Sequence, residues 1–231
     1  MVTTRPRRTL RIVIVSFALS AASLAFTGGF VPAQAAPTTN DPALTFPSPG
    51  ASMAVWNSWA VAQKQAIQSQ PYAEFAAKQG LVLQKLYFVS VTDAPGIPAG
   101  ITTEAAVVIA APAGAASAQP TGSTSVPSSS TNCSDFSNGL GSACIDAYYN
   151  SGLYWEATSE LYVATDGKLN LGDGGCPGQR DVVTTGLVNV SAYETVELYY
   201  GPVNFSQTWD SRWWDDASGS YQSWGYACLT E

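Results

Sequence analysis

The sequence predicts a mainly β fold, a C-terminal disulfide-bonded antiparallel β-sandwich preceded by a small α+β module of order helix-helix-strand-strand. All four cysteines lie in the last 100 residues. The same region alternates apolar and polar side chains with the period of two that half-buried strands show. About six to eight short strands in such a region are typical of a sandwich. Residues 51–110 instead show a helical pattern followed by two apolar strands.

The N-terminal segment 1–35 has the parts of a secretory signal. A positively charged start precedes an apolar stretch over residues 12–26, and the small-x-small site Ala33-Gln34-Ala35 follows. The charged start contains Arg5, Arg7, Arg8 and Arg11. An uncleaved N-terminal anchor is the alternative, but the apolar stretch is shorter than the roughly 20 residues that span a bilayer. We therefore expect a secreted, extracellular protein with no membrane contact after cleavage.

The composition narrows the chemistry. The chain has 10 basic and 17 acidic residues, and the signal holds four of the basic residues and none of the acidic ones. The mature chain then has 10 − 4 = 6 basic residues and a net charge of −11. Phosphate backbones repel such a protein, so we expect no nucleic acid partner. Since the chain has no histidine, Ser-His-Asp catalysis and zinc sites with histidine ligands are excluded too.

The mature chain divides into four segments by composition. Residues 36–50 form an extension and 51–110 the α+β module, with 111–131 as a small-residue spacer rich in Ala, Ser and Pro. Residues 132–231 form the sandwich domain.

In the first module we expect a helix near 51–68 whose apolar stripe includes Trp56, with Trp59 at its edge. These two tryptophans suit either a small core or a binding surface, and the helical spacing favours the core. A second helix is expected between Pro71 and Gly80. The strands expected along the chain cover 82–91, 105–110, 144–149, 153–163, 182–190, 195–200, 203–214 and 221–229.

The cysteines predict two disulfides, because an even number in a secreted chain is typical of disulfide pairing. Of the three pairings that four cysteines allow, we favour Cys133–Cys144 and Cys176–Cys228. A four-thiolate zinc site is the alternative, but no two cysteines have C-x-x-C spacing.

Two aromatic clusters are candidate ligand-binding sites. In the terminal hairpin Trp209 and Trp213 share the core parity, which leaves Trp214 on a polar face with Asp210 and Arg212. An exposed tryptophan among hydrogen-bonding side chains suits a sugar ring. The second cluster, on another strand, consists of Tyr154, Tyr162 and Glu156. Ordinary cross-strand packing of surface aromatics is the alternative interpretation of both clusters.

The glycine-rich segment 166–175 is a candidate calcium loop with Asp166, Asn170 and Asp173 as oxygen ligands. Its alternative is a plain connection between strands, since Lys168 stands where a ligand would be needed. No other cofactor is expected. Carboxylate pairs along single strands, such as Glu156 and Glu160, are too far apart for glycoside hydrolysis. A pair formed across strands remains open.

A signal segment, an Ala/Ser/Pro spacer and a cysteine near the C-terminus together make the chain resemble the small secreted disulfide-bearing β proteins of actinobacteria. The resemblance assigns no site residue. We expect a non-catalytic extracellular protein that binds a polysaccharide or another protein. The alternatives are a secreted hydrolase that uses paired carboxylates and a protease inhibitor that presents the loop between Cys133 and Cys144.

Overall fold

The computed structural model describes residues 44–114, 130–149, 153–178, 180–203 and 208–230. The expected signal segment and most of the expected spacer lie outside these residues. The described chain is mainly β, with two helices and eleven strands in two antiparallel sheets. No helix among the described residues is long and apolar enough to span a bilayer.

The elements follow one another in the order helix, helix and then strands. They are α1 (Met53–Gln68), α2 (Tyr72–Lys78), β1 (Leu81–Val91), β2 (Thr103–Pro112), β3 (Ser130–Asp135), β4 (Gly141–Tyr149), β5 (Leu153–Leu161), β6 (Thr165–Asp173), β7 (Arg180–Thr184), β8 (Val188–Val190), β9 (Thr195–Val203), β10 (Thr208–Asp215) and β11 (Ser220–Thr230).

Local sequence explains both helix boundaries. The side chain of Ser52 caps α1 by accepting a hydrogen bond from the Val55 N–H at 3.4 Å. Pro71 precedes α2, where its missing N–H costs nothing. Gly80 follows the last turn of α2 with φ +75°, the left-handed conformation that favours glycine at this position. Both helices, and the position of Gly80 after the end of α2, agree with the sequence-based expectation.

The first sheet has the strand order β1-β2-β9-β5-β4-β3, and the second has the order β11-β10-β6-β7 with β8 paired to β6. In the first sheet β2 pairs with β9 through Ala105↔Tyr200 to Ala110↔Thr195. A strand of the 51–110 segment therefore lies hydrogen-bonded between β1 and β9, in a sheet whose other strands come from residues 130–203. The expected boundary between two modules does not correspond to a break in this sheet.

Both sheets contribute to one apolar core. The ring of Trp155 on β5 stacks on that of Trp209 on β10 at 5.6 Å, and Trp213 and Leu169 are buried in the same cluster. Trp209 and Trp213 are 0% and 1% exposed. The core assignment made from their parity is therefore confirmed, because residues two or four apart on a strand share a face.

Two disulfides form with the expected pairing. Cys133 and Cys144 face each other across β3 and β4, with their Cα atoms 4.1 Å apart. Cys176, in the segment that follows β6, is bonded to Cys228 of β11, 52 residues later in the chain. Disulfides persist in oxidising compartments, and this agrees with the expected export of the chain.

The outer face of the first sheet is covered by the helices, and this corrects one expectation. We expected Tyr154 and Glu156 on an exposed polar face, but they are 1% and 5% exposed. Tyr154 packs in an apolar cluster with Tyr72 and Ala76 of α2 and with Tyr199 of β9. The alternation along β5 was correct, but both of its faces are buried because a helical layer lies on the second one.

The segment expected to form a calcium loop is instead a strand, β6, over Thr165–Asp173. Its apolar residues Leu169 and Leu171 enter the core, and its glycines allow close packing of neighbouring side chains. A strand places Asp166 and Asn170 about 13 Å apart, too far to share an ion.

Candidate functional site

The outer face of the second sheet brings together the residues of the first predicted cluster. Asp210, Arg212 and Trp214 alternate along β10, opposite Gly172, Asn170 and Lys168 of β6. On the other side of β10, Trp214 is paired with Tyr221 of β11. With Asp181 of β7, these groups form what we call the Arg212 surface, defined by Asp181, Asp210, Arg212, Trp214 and Tyr221.

Arg212 is the centre of this surface. Its Nε lies 3.0 Å from Asp210 Oδ2, and its Nη2 donates to Asp181 Oδ1 at 2.5 Å. The guanidinium also lies over the ring of Tyr221, 4.8 Å from the centroid, and the Tyr221 hydroxyl donates to Asp181. Two carboxylates and one aromatic face thus fix the guanidinium in a single orientation.

Two glycines make this arrangement possible. Arg212 must reach across β6 to meet Asp181 on β7, and the position between them is Gly172. A Cβ atom on Gly172 would lie 2.3 Å from Asp210 Oδ1 and 2.7 Å from Arg212 Nη2. Gly178 donates its N–H to Asp210 Oδ2 at 2.7 Å and accepts from Arg212 Nη1 at 3.1 Å.

The electrostatics of the surface follow from burial. The Asp210 side chain is 0% exposed, and burial raises its pKa, while the Gly178 N–H and the Arg212 charge lower it. Burial also raises the pKa of Tyr221, and the hydrogen bond to Asp181 adds to this rise. Tyr221 therefore keeps its proton as a donor near neutral pH.

Trp214 lies at the rim of the fixed network. Its indole is partly exposed and meets the ring of Tyr221 edge to face at 5.1 Å. An indole beside fixed polar groups can offer an apolar ring face and nearby hydrogen-bonding atoms to the same ligand.

A second group of polar residues lies on the outer face of the first sheet. Glu156 on β5 is directly opposite Asp146 on β4 and Tyr199 on β9. Glu197 on β9 is opposite Thr158, and is therefore a diagonal neighbour of Glu156, with Cα atoms about 7–8 Å apart. Asp146, Glu156 and Glu197 are 9%, 5% and 0% exposed. We call these three residues the carboxyl cluster.

Burial raises the pKa of both glutamates in the carboxyl cluster. At Glu156 the neighbouring Glu197 and Asp146 raise the pKa further, whereas hydrogen bonds from Tyr199 and Thr158 lower it. At Glu197 the Tyr199 hydroxyl, which donates to Oε2 at 2.8 Å, and Gln79 partly offset the effect of burial. Two buried carboxyls on neighbouring strands are costly to ionise together, so burial and mutual repulsion favour a state in which at least one of them is protonated.

The sequence leaves such a cross-strand pair open, but the pattern along a single strand does not reveal it. Strand order and register decide which side chains meet across strands, and the pairing of β5 with β9 joins residues about 40 positions apart in the chain. Alternation along each strand was the only signal that could have placed Glu156 and Glu197 on outward faces.

The fold does not bring the remaining predicted site residues together into a site. Tyr162 is 37% exposed beyond the end of β5, eight residues from Tyr154 and about 26 Å away along an extended chain. Asp166 accepts a hydrogen bond from Asn189 Nδ2 at 2.7 Å, and Asp173 forms an ion pair with Arg180 at 3.0 Å. Within the described ranges, no three Asp, Glu, His or Cys side chains are grouped so as to hold a metal ion.

Comparison with known proteins gives no relative for this chain. No protein-family model matches it, and no curated protein or solved structure matches it significantly.

Proposed function

We propose that the protein is secreted and non-catalytic, and that its two-sheet sandwich binds an extracellular polysaccharide through the Arg212 surface. The observation that carries the proposal is the fixed guanidinium of Arg212, held by Asp181, Asp210 and Tyr221 next to the partly exposed Trp214. The signal-like segment and the two disulfides support an extracellular location.

A sugar suits this surface for two physical reasons. The C–H face of a pyranose ring packs against an indole, and its hydroxyls need donors and acceptors in fixed positions. Because Asp181, Arg212 and Tyr221 already hold one another, they lose little conformational freedom when a ligand binds. The six basic residues of the mature chain against 17 acidic ones disfavour polyanionic ligands, so we infer a neutral polysaccharide.

Titration with soluble neutral glycans, together with pull-down on insoluble ones, tests the proposal. Binding should change tryptophan fluorescence in the intact protein, and Trp214→Ala should weaken the affinity at least tenfold. Tyr162→Ala is the matched control, since Tyr162 is a partly exposed aromatic outside the Arg212 surface and its loss should leave binding unchanged. Equal affinities of all three proteins, or no binding to any neutral glycan, would refute the proposal.

The carboxyl cluster favours a second candidate, the secreted hydrolase with paired carboxylates. Glu156 and Glu197 lie on neighbouring strands with raised pKa values, and one protonated and one ionised carboxyl are what acid–base hydrolysis requires. Assays of glycan cleavage with Glu156→Gln and Glu197→Gln distinguish the two functions. A hydrolase would lose activity in both variants and keep its binding affinity, whereas a binding protein would show no cleavage in any form.

The protease-inhibitor hypothesis has weaker support. The loop between β3 and β4 is short and tied down, since Phe136 is 3% exposed and the Asn138 side chain donates to Gln222 of β11. Purified protein tested against secreted proteases would reveal inhibition, and Asn138→Ala would alter it.

A further inference from the structure

The carboxyl cluster lies beneath a small cover. Tyr72 of α2 contacts the ring of Tyr199 at 5.1 Å, and Phe75 contacts it at 6.1 Å. Tyr199 in turn donates to Glu197, and Gln79 at the end of α2 also interacts with this carboxyl. The seven-residue helix α2 and the adjoining Gln79 therefore cover Tyr199 and Glu197.

The titratable groups that face the cluster are acidic residues or neutral tyrosines, and none of them supplies a positive charge. From the strands come Asp146, Tyr148, Tyr154 and Tyr199, and from α2 comes Tyr72, with Glu104 of β2 close to that tyrosine. The cation on α2, Lys78, lies over the ring of Phe75, 5.8 Å from the centroid. Among the described residues, no Lys or Arg forms an ion pair with Glu156 or Glu197.

We propose that α2 is a pH-dependent cover, docked on the first sheet while at least one of Glu156 and Glu197 is protonated and released when both carboxyls are ionised. Two negative charges without a cation need water. Strands β5 and β9 cannot move apart to admit it, because each is hydrogen-bonded to strands on both sides. In the described part of the chain, the residues of the two-turn helix α2 make no backbone hydrogen bonds to the strands.

The neighbouring helix α1 stays in place for a specific reason. Gln63 is 1% exposed, and both ends of its amide are hydrogen-bonded to the backbone of the interior strands β2 and β9. Its Nε2 donates to Glu104 O at 2.8 Å and to Gly201 O at 2.6 Å, and its Oε1 accepts from Glu104 N at 2.9 Å. Release is therefore confined to α2 and its connections.

The direction of the pH effect follows from linkage. The pKa of Glu197 is raised from 4.5 to about 7 in the folded protein. A group with a raised pKa stabilises the folded arrangement fully below its unfolded value and loses that effect as the pH rises through its folded value. The docked state should thus be fully favoured below about pH 4.5 and should weaken as the pH rises through about 7.

Hydrogen exchange measured by mass spectrometry on the full mature chain tests the proposal. After correction for the intrinsic pH dependence of exchange, protection of the amides of residues 72–80 should fall at least tenfold between pH 5 and pH 8. Protection in β5 and β9 should stay constant. The double variant Glu156→Gln/Glu197→Gln should keep α2 protected at both pH values, because neutral amides that cannot ionise replace both carboxyls.

Glu74→Gln is the matched control, since Glu74 is an exposed carboxylate on α2 itself. It should show the same fall in protection as the unmodified protein. If the double variant does not fold, the single variant Glu197→Gln carries the test and should flatten the pH profile. Constant protection of α2 in the unmodified protein, an unchanged fall in the Gln variants, or a simultaneous loss of protection in α2, β5 and β9 would overturn the proposal.

Discussion

Replacing Gly172 with alanine should disrupt the Arg212 surface from beneath. The new Cβ would lie 2.3 Å from Asp210 Oδ1, whereas real Cβ atoms keep at least 3.0 Å from such neighbours. Asp210 would have to retreat by about 0.7 Å, the difference between these distances, although its side chain is 0% exposed and accepts the Gly178 N–H. The same Cβ lies 2.7 Å from Arg212 Nη2.

The expected loss of folding free energy in Gly172→Ala has two contributions. Overpacking of a filled site costs about 1–3 kcal/mol. Separating Arg212 from the buried Asp210 adds to this, because an uncompensated buried charge costs up to about 3–5 kcal/mol. Partial separation gives an expected loss of about 3 kcal/mol in the free energy of unfolding. For a domain of this size the loss lowers Tm by about 6–12 °C.

Thermal melting followed by circular dichroism measures this loss. Gly50→Ala is the matched control, because a Cβ on Gly50 meets nothing within 4 Å and its φ is not in the left-handed region. Its Tm should stay within about 2 °C of the parent. If the Gly172→Ala protein has the same Tm as the parent and binds ligand equally well, Asp210 and Arg212 are not held as described.

Three further predictions concern stability and are measured by urea unfolding. Trp213→Ala should cost about 3–5 kcal/mol because this indole is 1% exposed in the core, whereas Trp214→Ala should cost less than about 1 kcal/mol; similar losses would contradict their placement on opposite faces. Replacing Cys176 and Cys228 together with serine should cost about 4 kcal/mol, from the 52-residue separation, and an unchanged urea midpoint would argue against this disulfide. Gln63→Ala should cost about 3 kcal/mol, about 1 for each of its three hydrogen bonds, and a loss below about 0.5 would show that water replaces the amide.

Local patterns predicted the elements well and their assembly less well. The spacing around Trp209 and Trp213 identified the core face of β10, because alternation is a property of the strand itself. Gly80 marked the end of α2 for a similarly local reason. The same alternation along β5 could not show that Tyr154 and Glu156 are buried, since their burial depends on helices packed from elsewhere in the chain.

The candidate sites likewise contain a part that a local pattern predicts and a part that depends on long-range strand pairing. Asp210, Arg212 and Trp214 share a strand, so their common face was predictable. Asp181 and Tyr221 join them from β7 and β11, and no pattern within one segment indicates that a glycine on β6 lets Arg212 reach over to Asp181. The carboxyl cluster required the pairing of β5 with β9, which is a long-range property of the sheet.

The pairing of β2 with β9 also determines how the chain can be divided. An N-terminal fragment ending near residue 112 would present the unpaired edge of β2, and a C-terminal fragment beginning near 130 would present the complementary edge of β9. Each fragment alone has an open edge that favours aggregation. Mixed together, they have the six register pairs from Ala105↔Tyr200 to Ala110↔Thr195 to recognise each other. The chain is therefore a natural candidate for reconstitution from two separately produced halves, and a single proteolytic cut between them would leave the halves associated.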